Sequence, residues 1–405
     1  MALLLIGASP NILRAGQAAS TRVLIVDRTA PDLLTVLRGE DDQFYLVDYH
    51  DLAAVDAFAD VLTVGPRPTA VASVTEQGLI PAARLVDRLG LRGPGEDVVR
   101  STRDKRRMRA RLAAHAPHLS LPSAPGTDRE AVAQILKDAG QAVLKPALGT
   151  ASQGIRRLQS LDDLDRLPED ERRDALVEAF APGTEVSVES LSVGGEHRIV
   201  CIAEKRISPG FVEVAHLTPP PSLTGADVAR VTRATAELLD ALGITDGPAH
   251  TELMVCPERV TVIETHNRPG GDGIVDLAEA TTGIDWRRAS LAWSLVPDGS
   301  GPGAVDDVLR DCTGPAVAGA AAIVFFTAPP GTVTRVLERP ERVGAAKTVN
   351  WRVEPQVGTQ VGPLRDSFGR LGATVLHAPD AQALRDAVEH LLTVGVIEVT
   401  EGSAA

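Results

Sequence analysis

The first ninety residues alternate short apolar runs with helical stretches, and this alternation narrows the fold more than any other feature of the chain. ALLLIG reads as a strand, SPNILRAGQAAS as a turn and short helix, and TRVLIVD as a second strand ending in Asp27. FYLVDY follows, then DLAAVDAFA in helical spacing, the apolar VLTVG, and PAARLVDRLG, an amphipathic helix ended by Gly90. Strand and helix taken in turn are the grammar of a parallel sheet with helices on its faces. Although the same grammar suits a dinucleotide fold, GASPNI lacks the glycine spacing that such a fold places after its first strand.

From residue 95 the grammar changes. DVVRSTRDKRRMRARLAAH reads as a basic helix and LPSAPGTD as a Pro/Gly-rich linker opening a small mobile subdomain. AVAQILKDAG is a helix, QAVLKP a strand, ALGTASQG a loop of small residues and IRRLQS a return strand. DALVEAFAPGTEVSVESLSVGGEHRIVCIAEKRIS alternates apolar and polar residues, with turns at PG and GG, as antiparallel strands do. GADVARVTRATAELLDALG sets Val228, Val231, Leu238, Leu239 and Leu242 near one helical face. PDGSGPG and CTGP mark a linker around 296 to 315, and the remainder reads as a small α+β unit. A chain of 405 residues exceeds one ordinary core. The expected division is an N-terminal α/β unit at 1–94, a central unit at 95–300 with a lid at about 122–185, and a C-terminal unit at 301–405.

Composition excludes several functions. Lys and Arg total 41 against 54 Asp and Glu, a net charge of −13, and aromatics are 3%. Neither a phosphate-binding surface nor a base-stacking platform for nucleic acid is expected. No stretch approaches the ~20 apolar residues of a membrane span. Three scattered cysteines without a CxxC pair suit a reducing compartment, so the expectation is a cytoplasmic protein without membrane partners.

The chemistry gathers in three places. In AVLKPALGTASQGIRR, Lys145 precedes a loop whose Gly149, Thr150, Ser152 and Gly154 let backbone N–H groups approach an anion. In VEAFAPGTEVSVES, Glu185, Ser187 and Glu189 share one strand face, and Glu178 and Glu185 suit the amine of a purine and the hydroxyls of a ribose. AHTELMV and RVTVIE form an antiparallel hairpin across CPER. In a register summing to 516, Glu252 lies opposite Glu264 on one face. Two carboxylates that close need a proton or cation between them, and oxygen donors without a Cys/His cluster point to Mg²⁺ or Mn²⁺. Downstream, Arg268 offers a fork for phosphate or carboxylate, and Gly270 and Gly271 allow close backbone approach.

STRDKRRMRARL, VLKPALGTASQGI, VEAFAPGTEVSVE, HTELMV and VIETHNRPGGD, in that order, resemble the ATP-grasp superfamily over roughly 95 to 290. Extended over both flanking units, the likeness is to the L-amino-acid ligase and carnosine-synthase-like branch. It implies a pre-ATP-grasp α/β domain, an ATP-grasp fold with a mobile lid, and a small C-terminal α+β domain. Lys105 and Lys145 then look like the nucleotide-phosphate lysines, and Gly149 to Gly154, including Ser152, like the lid loop. Glu178 with the backbone near Phe180 is similar to the adenine hinge, Glu185 to the ribose acid, Glu252 and Glu264 to the Mg²⁺ ligands, and Arg268 to the arginine that steadies an acyl phosphate. The substrate set implied is Glu76, Glu213, His216, Arg268, Gly271 and Asp272.

One departure stands out: many relatives have Asn two positions after the second metal acid, where this chain has His266. The imidazole either binds Mn²⁺, contacts a substrate or leaves the position to water, and Asn267 replaces it only if the chain bulges there. The implied activity joins a small-molecule carboxylate to an amine with ATP, most readily two amino acids, and releases ADP and phosphate. A ligase of purine or specialised metabolism and a non-catalytic nucleotide-binding regulator are the alternatives, and a homodimer is compatible with each.

Overall fold

The computed structural model describes residues 1–28, 31–65, 67–149 and 152–401. The opening alternation forms a parallel sheet of β1 (Ala2–Ile6), β2 (Arg22–Asp27), β3 (Gln43–Leu46) and β4 (Ala70–Ala72), in the order β3-β2-β1-β4. Helices α1 (Pro10–Ala19), α2 (Pro31–Leu34), α3 (Leu52–Val64) and α4 (Leu79–Leu89) intervene or follow. Ser9 starts α1 by accepting from the Ile12 N–H, and Asp51 starts α3 by accepting from Ala53. VLTV continues α3 instead of forming a strand. Leu62 extends the buried stripe of Val55, Phe58 and Ala59 at helical spacing, and the next strand comes at Ala70.

The basic segment divides into α5 (Glu96–Arg103) and α6 (Lys105–His115), because Asp104 leaves helical geometry and caps α6 through the Arg106 N–H. The expected linker contains β5 (Ser123–Pro125), an edge strand of a four-stranded sheet. After α7 (Arg129–Ala139) come β6 (Ala142–Pro146), β7 (Arg156–Leu158), α8 (Leu161–Asp165), α9 (Glu169–Arg173) and β8 (Ala175–Ala179), giving the sheet order β5-β8-β6-β7.

The main sheet has nine strands. β9 (Thr184–Val193), β10 (Glu196–Ile207) and β11 (Glu213–Thr218) precede α10 (Gly225–Leu242), and β12 (Gly247–Val255) and β13 (Val260–His266) follow it. Pro182–Gly183 does not close a hairpin between β8 and β9, which lie in different sheets. A Cβ at Gly183 would stand 2.3 Å from the Val255 carbonyl oxygen, so only glycine lets the chain cross there. Of the α10 face, Val231, Leu238, Leu239 and Leu242 are buried and Val228 is half-buried. The four buried residues pack with Met108 and Leu112 of α6 against Val186, Val188, Leu253 and Val262.

After α11 (Ile274–Thr282) and α12 (Trp286–Ala292), the expected linker holds a helix, α13 (Ala304–Asp311). The final unit contributes β14 (Ala320–Phe325), β15 (Gly331–Val336), β16 (Arg342–Val343), β17 (Ala346–Val353), β18 (Gln360–Val361), β19 (Gly372–Ala378), α14 (Ala381–Val394) and β20 (Ile397–Glu401). β14 pairs with β11, so the main sheet runs on into this unit in the order β13-β12-β9-β10-β11-β14-β19-β17-β16. Among the described residues no helix is long and apolar enough to cross a membrane.

Candidate active site

The smaller sheet, the main sheet and the Ser367–Arg370 segment enclose a cavity of about 390 Å³. Leu121, Val143, Ile155, Phe180, Met254 and Ile263 supply apolar walls, while lysines and carboxylates from α6 and from strands of both sheets supply the polar ones. The hairpin β12–β13 sets the acids. Beside the CPER turn Val255 pairs with Val260 and Leu253 with Val262. One extra residue in β13, Ile263, forms a bulge that shifts the register, so that Glu252 pairs with Glu264 and His250 with His266.

Each acid is held by a lysine and an imidazole. Lys105 Nζ lies 2.9 Å from Glu264 Oε2, and His266 Nε2 lies 3.3 Å from Oε1. Lys205 Nζ bonds Glu252 Oε1, and His250 Nε2 stands 3.3 Å from the same oxygen. Lys205 also reaches Glu185 at 3.1 Å and Glu213 at 3.3 Å, so one buried ammonium faces three carboxylates. Burial pushes Glu185 up to about 7 despite Lys205, whereas for Glu264 the Lys105 and His266 charges outweigh burial and lower it. His250 rises to about 9 against its own burial because Glu189 and Glu252 flank it.

Lys205 escaped the reading of the sequence. It sits in the same strand register as Ala203, both buried in β10. A lysine in the inward register of an apolar strand was the available signal.

Several expected roles change. Glu178 is not a free acceptor for a purine amine: Arg109 Nε and Lys145 Nζ each lie 2.6 Å from its oxygens, with the carboxylate 1% exposed. Burial alone would raise its pKa, but the two cations prevail and hold it at about 2. It therefore orients Lys145 and joins β8 to α6. The Phe180 N–H donates to Gln141 O, which leaves its ring facing the cavity; Arg157 stands 4.9 Å over that ring and 5.1 Å over Phe211. Glu185 lines the cavity with Oε1 3.1 Å from Lys205, and burial outweighs that one cation, in contrast to Glu178.

His266 is also engaged at both nitrogens. Its Nδ1 lies 3.4 Å from Glu76 Oε1, out of line for a hydrogen bond, so this second contact is one of charge. It is therefore no free metal ligand. Asn267 cannot replace it, since the bulge precedes Glu264 and Asn267 Nδ2 donates to Pro248 O. Glu76 stands behind the cavity wall, bonded to Arg268 Nε and 2.7 Å from Arg103. It positions Arg268 and does not face the cavity.

Of the remaining expected residues, Lys105, Gly149, Ser152, Glu213, His216, Arg268, Gly271 and Asp272 line the cavity, and Gly154 does not. Lys105 Nζ donates to Gly149 O at 3.1 Å, tying α6 to the start of the loop, and Gly154 adopts φ +69°. Thr150 lies outside the described residues. Ser152 Oγ donates to Glu213 Oε2 at 3.2 Å, as does Ser367 Oγ, so Glu213 joins the loop to the C-terminal unit. Among the described residues, neither nitrogen of buried His216 has a hydrogen-bond partner, and burial lowers its pKa. Asp272 Oδ2 is 3.9 Å from His216 Nε2, and Arg370 donates to Asp272 at 2.8 and 2.9 Å while stacking 3.8 Å over Phe325. Gly271 completes this wall.

Residues 140–276 match the family model of the ATP-grasp domain, and residues 324–398 match the L-amino acid ligase C-terminal domain 2. The chain carries an ATP-grasp domain. An alanine–anticapsin ligase of Bacillus amyloliquefaciens is 24% identical over 283 residues, which is 62% of this chain and 59% of that protein. The chain therefore aligns with less than two thirds of this relative's length. The structure of an L-amino acid ligase from Bacillus licheniformis superposes with a TM-score of 0.73 at 20% identity, covering 99% of both chains. The biotin carboxylase domain of a 2-oxoglutarate carboxylase from Hydrogenobacter thermophilus, in complex with MgADP, superposes with a TM-score of 0.66 at 16% identity, covering 98% of this chain and 90% of that one. At these identities the two structures share the ATP-grasp fold with this chain.

Among the described residues, no three His, Cys, Asp or Glu side chains are grouped to hold a metal on their own. The facing acids are the available oxygen donors, although both Glu264 oxygens already face Lys105 and His266 and would share their remaining lone pairs with a cation. Both protein contacts to Glu252 fall on Oε1, and among the described residues nothing bonds its Oε2. This set fits a cation whose remaining ligands are phosphate oxygens and water.

Proposed function

We propose that this chain is an ATP-dependent carboxylate–amine ligase joining two amino-acid-like substrates through an acyl phosphate, with release of ADP and phosphate. The carrying observation is the convergence of Glu252 and Glu264 with Lys105, Lys145 and Lys205 beside the small-residue loop, in one cavity that also receives Arg268. The matches to an ATP-grasp domain and to an L-amino acid ligase C-terminal domain support the reading, as does the alanine–anticapsin ligase relative. Divided accordingly, the chain has an α/β unit at 1–94, an ATP-grasp unit at 95–300 and a C-terminal unit at 301–405. Three free cysteines suit a reducing cytoplasm.

A carboxylate resists attack by an amine because oxide would have to leave. Moving the γ-phosphoryl group of ATP onto a carboxylate oxygen breaks the bond to ADP and makes phosphate the leaving group. Bound between Glu252 and Glu264, Mg²⁺ would neutralise phosphate charge. Lys105 and Lys145 hold the phosphates, and Lys205 sets the electrostatics beside Glu252. Arg268, anchored by Glu76, faces the oxygens of the acyl phosphate. His216, kept neutral by burial, offers an acceptor to the incoming amine, and the apolar walls of Val143, Ile155, Phe180 and Ile263 limit the water that would hydrolyse the intermediate.

A screen of amino-acid pairs for ADP release, with mass detection of the product, tests the activity. With the accepted acid labelled in its carboxylate by heavy oxygen, one label should pass to the released phosphate. Release of AMP and pyrophosphate, or unlabelled phosphate, would refute the acyl-phosphate route.

A further inference from the structure

Behind the cavity lies a buried carboxylate for which the proposed chemistry has no direct use. Glu189 on β9 is 1% exposed and receives donors from three elements. His250 Nδ1 of β12 lies 2.6 Å from Oε1, and Trp286 Nε1 of α12 donates to Oε2 at 2.7 Å. The Gly270 N–H donates to both oxygens, at 3.2 and 3.0 Å. A Cβ on residue 270 would stand 2.6 Å from Glu189 Oε1 and 2.7 Å from His250 Nδ1, so the Pro269–Gly271 turn is closed down onto this pair.

The second nitrogen of His250 faces Glu252 Oε1, the oxygen that Lys205 also holds. An imidazole gripped at Nδ1 by a saturated carboxylate can neither rotate nor slide along the strand. Its Nε2–H then restricts which Glu252 oxygen turns toward the cavity. A glutamate side chain otherwise has rotamer freedom that it would lose on gripping a cation. Such outer partners orient metal ligands, and removing one typically costs about 10–100-fold in metal affinity.

We infer that Glu189 and His250 are positioning residues that preset Glu252 for a divalent cation, and that through Gly270 they lock the same register onto the turn carrying Arg268 and Gly271. The inference rests on the proposed role of Glu252 as a cation ligand. A plain packing role for Glu189 makes a different forecast, because Trp286 and His250 would then matter alike.

The test uses the full chain saturated with ADP, without amino substrates, and reads Mn²⁺ binding from the loss of the free-ion electron paramagnetic resonance signal. Glu189→Gln and His250→Asn are expected to weaken Mn²⁺ binding by about 10–100-fold. Trp286→Phe, which removes one Glu189 donor and leaves the His250 link, should stay within about threefold of wild type. Glu252→Gln should weaken binding at least as far as Glu189→Gln. If Glu189→Gln does not fold, His250→Asn alone decides, since it leaves Glu189 with the Trp286 and Gly270 donors. Wild-type Mn²⁺ affinity in His250→Asn with weak binding in Glu252→Gln overturns the inference and leaves the cation site standing. Equal losses in Trp286→Phe and Glu189→Gln overturn it in favour of packing. Wild-type affinity in Glu252→Gln removes the cation reading and the inference together.

Discussion

Glu178→Gln separates two accounts of the acid at the end of the small sheet. The substitution keeps size and removes charge, leaving Arg109 and Lys145 buried without their shared anion. A carboxyl held at about 2 instead of 4.5 corresponds to about 3 kcal/mol at neutral pH. This agrees with the roughly 3–5 kcal/mol lost when one partner of a buried ion pair is removed. The loss should be local, since Glu178 and Lys145 belong to the small sheet and Arg109 to α6. Trp286, Trp293 and Trp351 all lie outside residues 122–185, so their fluorescence is a poor probe. Amide hydrogen exchange of β6 and β8 in the nucleotide-free protein is the assay, and a loss of about 3 kcal/mol should speed exchange on the order of 100-fold. The folded-state pKa lies below the ordinary one, so the stabilisation is complete above about 4.5 and fades as pH falls through about 2. The gap between wild type and variant should therefore be flat near neutrality and close on acidification. Exchange within threefold of wild type at pH 7, together with a nucleotide affinity defect, would refute the ion-pair account and return Glu178 to the adenine pocket.

Lys205→Met keeps the length of the side chain but leaves Glu185, Glu213 and Glu252 without their common ammonium; ADP release should fall about 100-fold or more, and a value within fivefold of wild type would remove Lys205 from the active site. Glu185→Gln tests the burial effect: burial lifts the wild-type carboxyl to about 7, so the folded state binds more protons than the unfolded one between about 4.5 and 7 and wild-type stability declines with rising pH across that window. The variant lacks this decline, so its melting temperature relative to wild type should increase from pH 5 to pH 8.

The parts of the fold that could be read in the sequence were those set by near neighbours. Alternation located β1 to β3, and the CPER turn located the β12–β13 hairpin, although the register at that turn brings Glu264 opposite Glu252 only through the extra residue Ile263. Where local signals compete, the reading failed. VLTV has strand-like β-branched composition, yet α3 needs Leu62 to complete its buried stripe. LPSAPGTD has the composition of a linker, yet Ser123–Pro125 finds an edge position beside β8, where a proline costs no ladder bond.

Side-chain roles at the site depend on partners that spacing does not reveal. Glu178 looks like an accessible acceptor until Arg109, sixty-nine positions upstream, is brought against it by the packing of α6. Glu76 is 192 positions from Arg268, and it becomes an anchor for that arginine only because the N-terminal unit closes behind the β13 turn. His266 shows the limit most directly. As a replacement for an amide two residues after an acid, it reads as an altered ligand, and one-dimensional spacing has no means of placing Glu76 at its other nitrogen. With a carboxylate on either side, the imidazole links Glu76, the acid that steadies Arg268, to Glu264, the acid that faces the cavity. The departure at position 266 therefore changes what holds Glu264, and the oxygen donors facing the cavity are still the two acids.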